Sequence, residues 1–459
     1  MTLYRMSMRG MLDGLRAGRF TAEALTRDLL ARIDALEPRL HAWAWLDAPR
    51  ALAAARGAGR GPLGGIPIGI KDIMHVRGVP TGMGSPVYDG FIAQESAAVV
   101  QRLEAAGGFV LGKTVTAELA YFHPGPTRNP WDPTHTPGGS SMGSAAAVAA
   151  GMVPAALGTQ TNGSVIRPAA FCGCVGYKPS SGLIPRSGML EFSATLDQVG
   201  VFARSVEDAA LVASVLVGHD AADRGSLENA QALADGLFLV APPPRPPRLA
   251  AVRSPVWHLA EEPQRAQFER DIRALRGAGA QVAEVELGDA FAQAHAMLRR
   301  IMYVEAARAL GPLQTEHRAR LSDALNRLLD EGRAISEAEY REALDVQASL
   351  QRALQDFLVP FDALITPPAR GEAPATLDSI GDPTFCTIWS LCGAPALTIP
   401  TGFGPNRLPL GLQVVGRLYD DARLLGVARW CAGAIGFDIG LASLGTADST
   451  SLCCGFPDA

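Results

Sequence analysis

Residues 95–114, "ESAAVVQRLEAAGGFVLGKT", place the tightest constraint on what this chain can fold into. Apolar residues recur at helical spacing, a Gly-Gly pair ends the pattern, and a short apolar run follows at once. A helix passing through glycines into a buried strand points to a layered α/β fold. The same pattern recurs elsewhere. "TAEALTRDLLARIDAL" (21–36) reads as a helix with Thr21 as N-cap, and "GPLGGIPIGIKDIM" (61–74) as a turn followed by a buried strand. "FDALITPP", "PALTIPTG" and "LGLQVVG" read as buried strands, with a closing helix over about 420–434. Residues 137–240 are rich in glycine and small residues and are interrupted by a loop, "GYKPSSGLIPRSG". "APPPRPPRLAAV" (241–252) reads as a proline-rich connector, excluded from helix and inner strand. Residues 258–357 are helical in pattern apart from a strand at "QVAEVEL".

Composition narrows the function classes. With 48% apolar and 19% charged residues in 459, the chain can bury a large core. A net charge of −5 without a basic block argues against nucleic-acid binding. The first twenty residues lack an apolar secretion-signal core, and no run of 18 apolar residues occurs, so a cytoplasmic protein without membrane association is expected. The cysteines (Cys172, Cys174, Cys386, Cys392, Cys431, Cys453, Cys454) are odd in number and form no CxxC pair, which fits buried free thiols. The eight histidines show no metal-ligand spacing, so no metal is expected. His123 and His135 read as surface or core residues rather than pocket residues.

The chemistry concentrates in "HTPGGSSMGSAAAVAAG" (135–151), where paired glycines and serines run straight into a helix-forming alanine run. Gly139-Ser140-Ser141-Met142-Gly143 matches G-x-S-x-G, but that elbow needs a strand before the serine. Pro130, Pro133 and Pro137 rule out a central strand there. A second arrangement uses more of the chain. Lys71 in "GIPIGIKD" comes first, then "PGGSSMGSAAAVAAG", then "GTQTNGS", with Ser140 24 residues before Ser164.

In that order and spacing the chain resembles the amidase signature family of serine amidohydrolases, from about residue 20 to about 435. The resemblance implies a large mixed β-sheet flanked by helices on both faces. It implies one domain over 1–436, with 241–357 as a mostly helical cover that sets specificity, and a loosely ordered tail over 437–459. It also implies a triad: Ser164 as nucleophile, Ser140 on a cis peptide bond as proton relay, and Lys71 as base. The substrate would be a small amide or carbamate; no cofactor is needed, and a homodimer is compatible with this reading.

The residues themselves suit these roles. Lys71 must be neutral to act as a base, and its neighbours Ile66, Ile68, Ile70 and Ile73 favour desolvation. On a strand, Asp72 points to the other face. Activity should then rise into the alkaline range. The backbone N–H groups of Thr161, Asn162, Gly163 and Ser164 form a glycine-containing turn suited to an oxyanion hole. Tyr121, Phe122, Met142 and Ile166 are positioned to form an apolar substrate pocket. Gln160, Asn162 and Met142 stand where the family more often has Asp, Gly and Gly, which bears on substrate class. Arg167 reads as structural, bonding backbone carbonyls or a carboxylate. Two rival functions remain: a glutamine-hydrolysing amidotransferase-type subunit, and a non-catalytic binding protein on the same fold.

Overall fold

The computed structural model describes residues 2–442 and 444. Its centre is one 11-stranded mixed sheet in the order β1-β3-β2-β4-β6-β5-β10-β11-β9-β7-β8. The strands are β1 (Trp43–Leu46), β2 (Pro67–Lys71), β3 (Phe109–Thr114), β4 (Ala155–Gln160), β5 (Val175–Lys178), β6 (Gln198–Ala203), β7 (Arg248–Arg253), β8 (Gln281–Glu286), β9 (Ala363–Thr366), β10 (Ala396–Phe403) and β11 (Pro409–Val415). Two parallel blocks, β3-β2-β4 and β9-β7-β8, flank an antiparallel centre.

Helices cover both faces, and their character follows from the sequence. The helix Ala22–Leu40 starts at Thr21, whose Oγ1 accepts from Ala24 N–H, and buries Leu25, Leu29, Ile33, Leu36 and Leu40 along one stripe. The helix Met142–Ala149 is buried all round, because Ala, Gly and Ser let it sit close to the sheet. Gly158 in β4 allows that approach: a Cβ there would lie 2.6 Å from Ser141 Oγ.

Two strand assignments differ from the sequence reading. The prolines of 241–252 end at Pro247, and Arg248–Arg253 then forms β7 as an inner strand between β9 and β8. "GYK", expected in a loop, lies in β5. β7 and β8 therefore extend the sheet, joined by the helix Glu262–Gly277, and the other long helices of the expected cover are Ala294–His317, Asp323–Ala334 and Glu337–Phe357. Of the expected tail, residues 437–442 and 444 are described. Ala442 and Leu444 are buried, and Ala442 N–H donates to the Ala149 carbonyl at 3.1 Å. The rest, with Cys453 and Cys454, lies outside the described residues.

A register slip in the β2–β3 pair shapes the region around the candidate base. Pairing passes from Ile68↔Val110 to Gly69↔Gly112, skipping one residue of β3. Lys113 then lies beside Ile70, and its Nζ donates to Asp72 Oδ1 at 2.7 Å. Both side chains are buried. Lys113→Met would strand the Asp72 charge and should cost about 3–5 kcal/mol of stability. Urea unfolding of that variant at neutral pH, compared with wild type, measures it.

Candidate active site

Lys71 ends β2 fully buried. Its Nζ donates to Ser140 Oγ and to Thr159 Oγ1, both at 2.8 Å. Asp72 is occupied by Lys113 on the far side of the strand, so it gives Lys71 no direct counter-charge. Burial pushes the Lys71 amine down to about 7, and the nearby Asp197 carboxylate partly opposes that shift.

Ser140 follows Gly138, which has φ +80°, a conformation suited to glycine, and the Gly139–Ser140 peptide is cis. Arg167 Nη2 donates to the Gly139 carbonyl at 2.7 Å, a backbone-holding role of the kind expected for it. Burial lowers that guanidinium to about 10. Ser141, the rival nucleophile, is fully buried and committed to the sheet. Its Oγ donates to the Thr159 carbonyl at 3.1 Å and accepts from Thr159 N–H at 3.2 Å. It opens a helix after a proline-rich loop rather than ending a strand.

Ser164 lies in the turn between β4 and the helix Ile166–Cys172. Among the described residues its Oγ has no hydrogen-bond partner, and neither do the backbone N–H groups of Thr161, Asn162, Gly163 and Ser164. The next two N–H groups, of Val165 and Ile166, donate to Gln160 Oε1 at 2.8 and 3.0 Å. Gln160 thus satisfies the helix start, as a capping carboxylate would, and leaves four consecutive donors free just before it. Its Nε2 donates to Ser390 Oγ at 2.9 Å, and Ser390 in turn donates to the Asn162 carbonyl. Asn162 Oδ1 accepts from Thr387 Oγ1 at 2.9 Å, so a second element fixes the side chain close to Ser164. Thr161 Oγ1 donates to Asp197 Oδ1 at 2.5 Å.

The four residues expected to form a substrate pocket divide into two pairs. Tyr121 and Phe122 are half-buried, in edge contact with centroids 5.0 Å apart. Tyr121 also stacks on Phe192 and places its hydroxyl 3.3 Å from that of Tyr303. Met142 and Ile166 are fully buried, each in the first turn of a helix pressed against the sheet; Met142 belongs to a small apolar cluster on which Phe122 packs, and Ile166 to the main core. A cavity of about 540 Å³ is lined in part by Phe122, Phe171, Arg370, Gly381, Asp382 and Pro383, the last of which lies against Gly163.

Among the described residues, no three His, Cys, Asp or Glu side chains converge as metal ligands. Cys172, Cys174, Cys386, Cys392 and Cys431 are free and buried, and burial raises their thiols, which suits packing rather than nucleophilic roles. No described helix is long and apolar enough to cross a membrane.

Sequence reasoning did not find Thr159, Asp197, Thr387 or Ser390. The last three lie 126, 316 and 319 residues from Lys71, and no local pattern marks them.

A family model described as Amidase matches residues 24–425. The chain belongs to the amidase signature family. As an amidase-family enzyme it acts on C–N bonds. It is 37% identical to a glutamyl-tRNA(Gln) amidotransferase subunit from Chloroflexus aggregans, over 93% of this chain and 95% of that protein. Solved structures similar to this chain include native peptide amidase from Stenotrophomonas maltophilia, with TM-score 0.81 and 29% identity over 96% of this chain and 99% of that one. Another is 6-aminohexanoate cyclic dimer hydrolase, with TM-score 0.86 and 25% identity over 97% of this chain and 99% of that one.

Proposed function

We propose that the chain hydrolyses a small carboxylic amide through an acyl-enzyme on Ser164. The observation that carries this reading is the buried Lys71 amine, 2.8 Å from Ser140 Oγ and without a direct carboxylate partner. In its neutral form the amine can donate to Thr159 while its lone pair accepts the Ser140 proton. Ser140 takes the Ser164 proton as Ser164 Oγ attacks the substrate carbonyl. Catalytic hydrogen bonds often tighten only in the substrate complex, which fits the free Ser164 hydroxyl of this structure. The oxyanion is received by the free N–H groups of residues 161–164. The proton returns through Ser140 to the departing nitrogen, the C–N bond breaks, and water attacks the acyl-Ser164 ester by the same relay. Carbamates and esters present a similar carbonyl to this machinery.

The kinship with amidotransferase subunits supports a second reading, in which the amide is glutamine and the ammonia passes to a partner protein. Both readings share the chemistry at Ser164 and differ in substrate. The purified chain alone should be assayed with an aliphatic amide, an aryl amide, an aryl carbamate and glutamine. Turnover of a simple amide or carbamate by the isolated chain is expected. Turnover of glutamine alone, and only with a co-purifying partner, would instead establish the second reading. A native chain that resists a fluorophosphonate serine probe and all four substrates would point to a binding protein on this fold.

A further inference from the structure

We propose that Glu305, on the helix Ala294–His317, is a positioning residue that fixes the loop carrying Asp197 and thereby sets the environment of Lys71 and of the oxyanion turn. This inference rests on the Lys71–Ser140–Ser164 reading. Glu305 is 6% exposed. Its carboxylate receives four donors: Ser193 Oγ and Thr195 N–H at Oε2, the latter at 3.0 Å, and Thr195 Oγ1 and the Tyr340 hydroxyl at Oε1, the latter at 2.7 Å. No cation pairs with it among the described residues. A buried carboxylate is costly unless hydrogen-bonded, and an apolar residue would pack this helix as well. What the carboxylate adds is a grip on residues 193 and 195.

That grip reaches the site in two further bonds. Phe192 and Ser193 N–H donate to Asp197 Oδ2 at 2.7 and 2.9 Å. Asp197 Oδ1 accepts from Thr161, the first residue of the free-donor turn. Asp197 is also the carboxylate that acts on Lys71; of the neighbouring charges, Asp72 pairs with Lys113 across β2, Arg186 pairs with Asp223 and donates to the Ala194 and Asp197 carbonyls, and buried Lys178 donates to Gln198 and the Pro179 carbonyl. Loosening the 192–197 loop would let Asp197 withdraw, remove part of the field that favours the ammonium, and slacken Thr161.

The sign of the effect follows from this. In Glu305→Ala the midpoint of the rising limb of kcat/KM against pH should move to lower pH, by about half a unit or more. The plateau kcat should fall roughly tenfold, with KM within about threefold. Glu305→Gln should restore most of both. Its oxygen can face Thr195 N–H, and its amide nitrogen can face the Thr195 and Tyr340 hydroxyls, which turn to accept. Tyr340→Phe serves as a control for stability: it removes the Tyr340 bond to Glu305 and the hydroxyl's contact with Thr195 but leaves the Glu305 bonds to Ser193 and Thr195 in place, so its shift should be smaller than that of Glu305→Ala. A wild-type midpoint in Glu305→Ala, or an equal shift in Tyr340→Phe, would overturn the proposal. If Glu305→Ala does not fold, Thr195→Val reads the same arm: a smaller shift in the same direction supports it, and no shift overturns it. Full turnover in Lys71→Met would remove the underlying reading, an outcome distinct from any result at Glu305.

Discussion

Ser164→Ala is expected to lower turnover by on the order of 10⁴-fold or more while leaving the fold intact. The residue sits in a turn, its hydroxyl has no partner among the described residues, and removing that oxygen breaks no hydrogen bond of the native state. The loss should therefore appear in kcat with no matching fall in thermal midpoint. The turn N–H groups survive the substitution, so substrate should still bind and a residual rate over water should remain. Ser141→Ala makes the contrast. Its Oγ bridges both backbone groups of Thr159, so that variant should lose stability and keep the triad. An active Ser164→Ala enzyme beside an inert but folded Ser141→Ala would reverse the assignment.

The second large effect is expected at Lys71. With the amine lowered to about 7, the ammonium predominates below that pH and has no lone pair to accept the Ser140 proton. Above it the neutral base predominates. Provided the chemical step limits the rate, kcat/KM should rise through a single ionisation near pH 7 and level off on the alkaline side. The sequence places this rise in the alkaline range; complete burial brings it toward neutrality. Lys71→Met keeps a similar volume without the base, and should cost about 10³-fold in kcat and abolish the rising limb. A wild-type profile that is flat from pH 6 to 10 would sink the lysine-base mechanism.

Much of this site was legible in the sequence because its chemistry is locally encoded. Glycines before Ser140, a glycine before Ser164 and an alanine helix behind them each fulfil a requirement that spans a few residues. The departures were legible as departures, but their meaning was not. Gln160 serves as a capping acceptor only because the helix Ile166–Cys172 begins where it does and because Ser390 Oγ accepts from its amide nitrogen. Asn162 is held by Thr387, 225 residues away.

The fold divides along the same line. Strands made of branched apolar residues, such as β2 and β9 to β11, announce themselves, as does the amphipathic helix after Thr21. "AALGTQ" does not, since alanine favours helix on its own. It becomes β4 because helices press closely on the sheet and only small side chains fit there. The sequence by itself determined the layered α/β class, the order of the motifs and which three side chains are proposed to react, since these depend on neighbours along the chain. The tertiary structure decided which charges meet. A one-residue slip in β3 brought Lys113 to Asp72, on the face away from Lys71, and packing from distant elements kept Lys71 dry. Register and burial are properties of the whole sheet, and in the proposed mechanism they are what lets an ordinary lysine serve as a base.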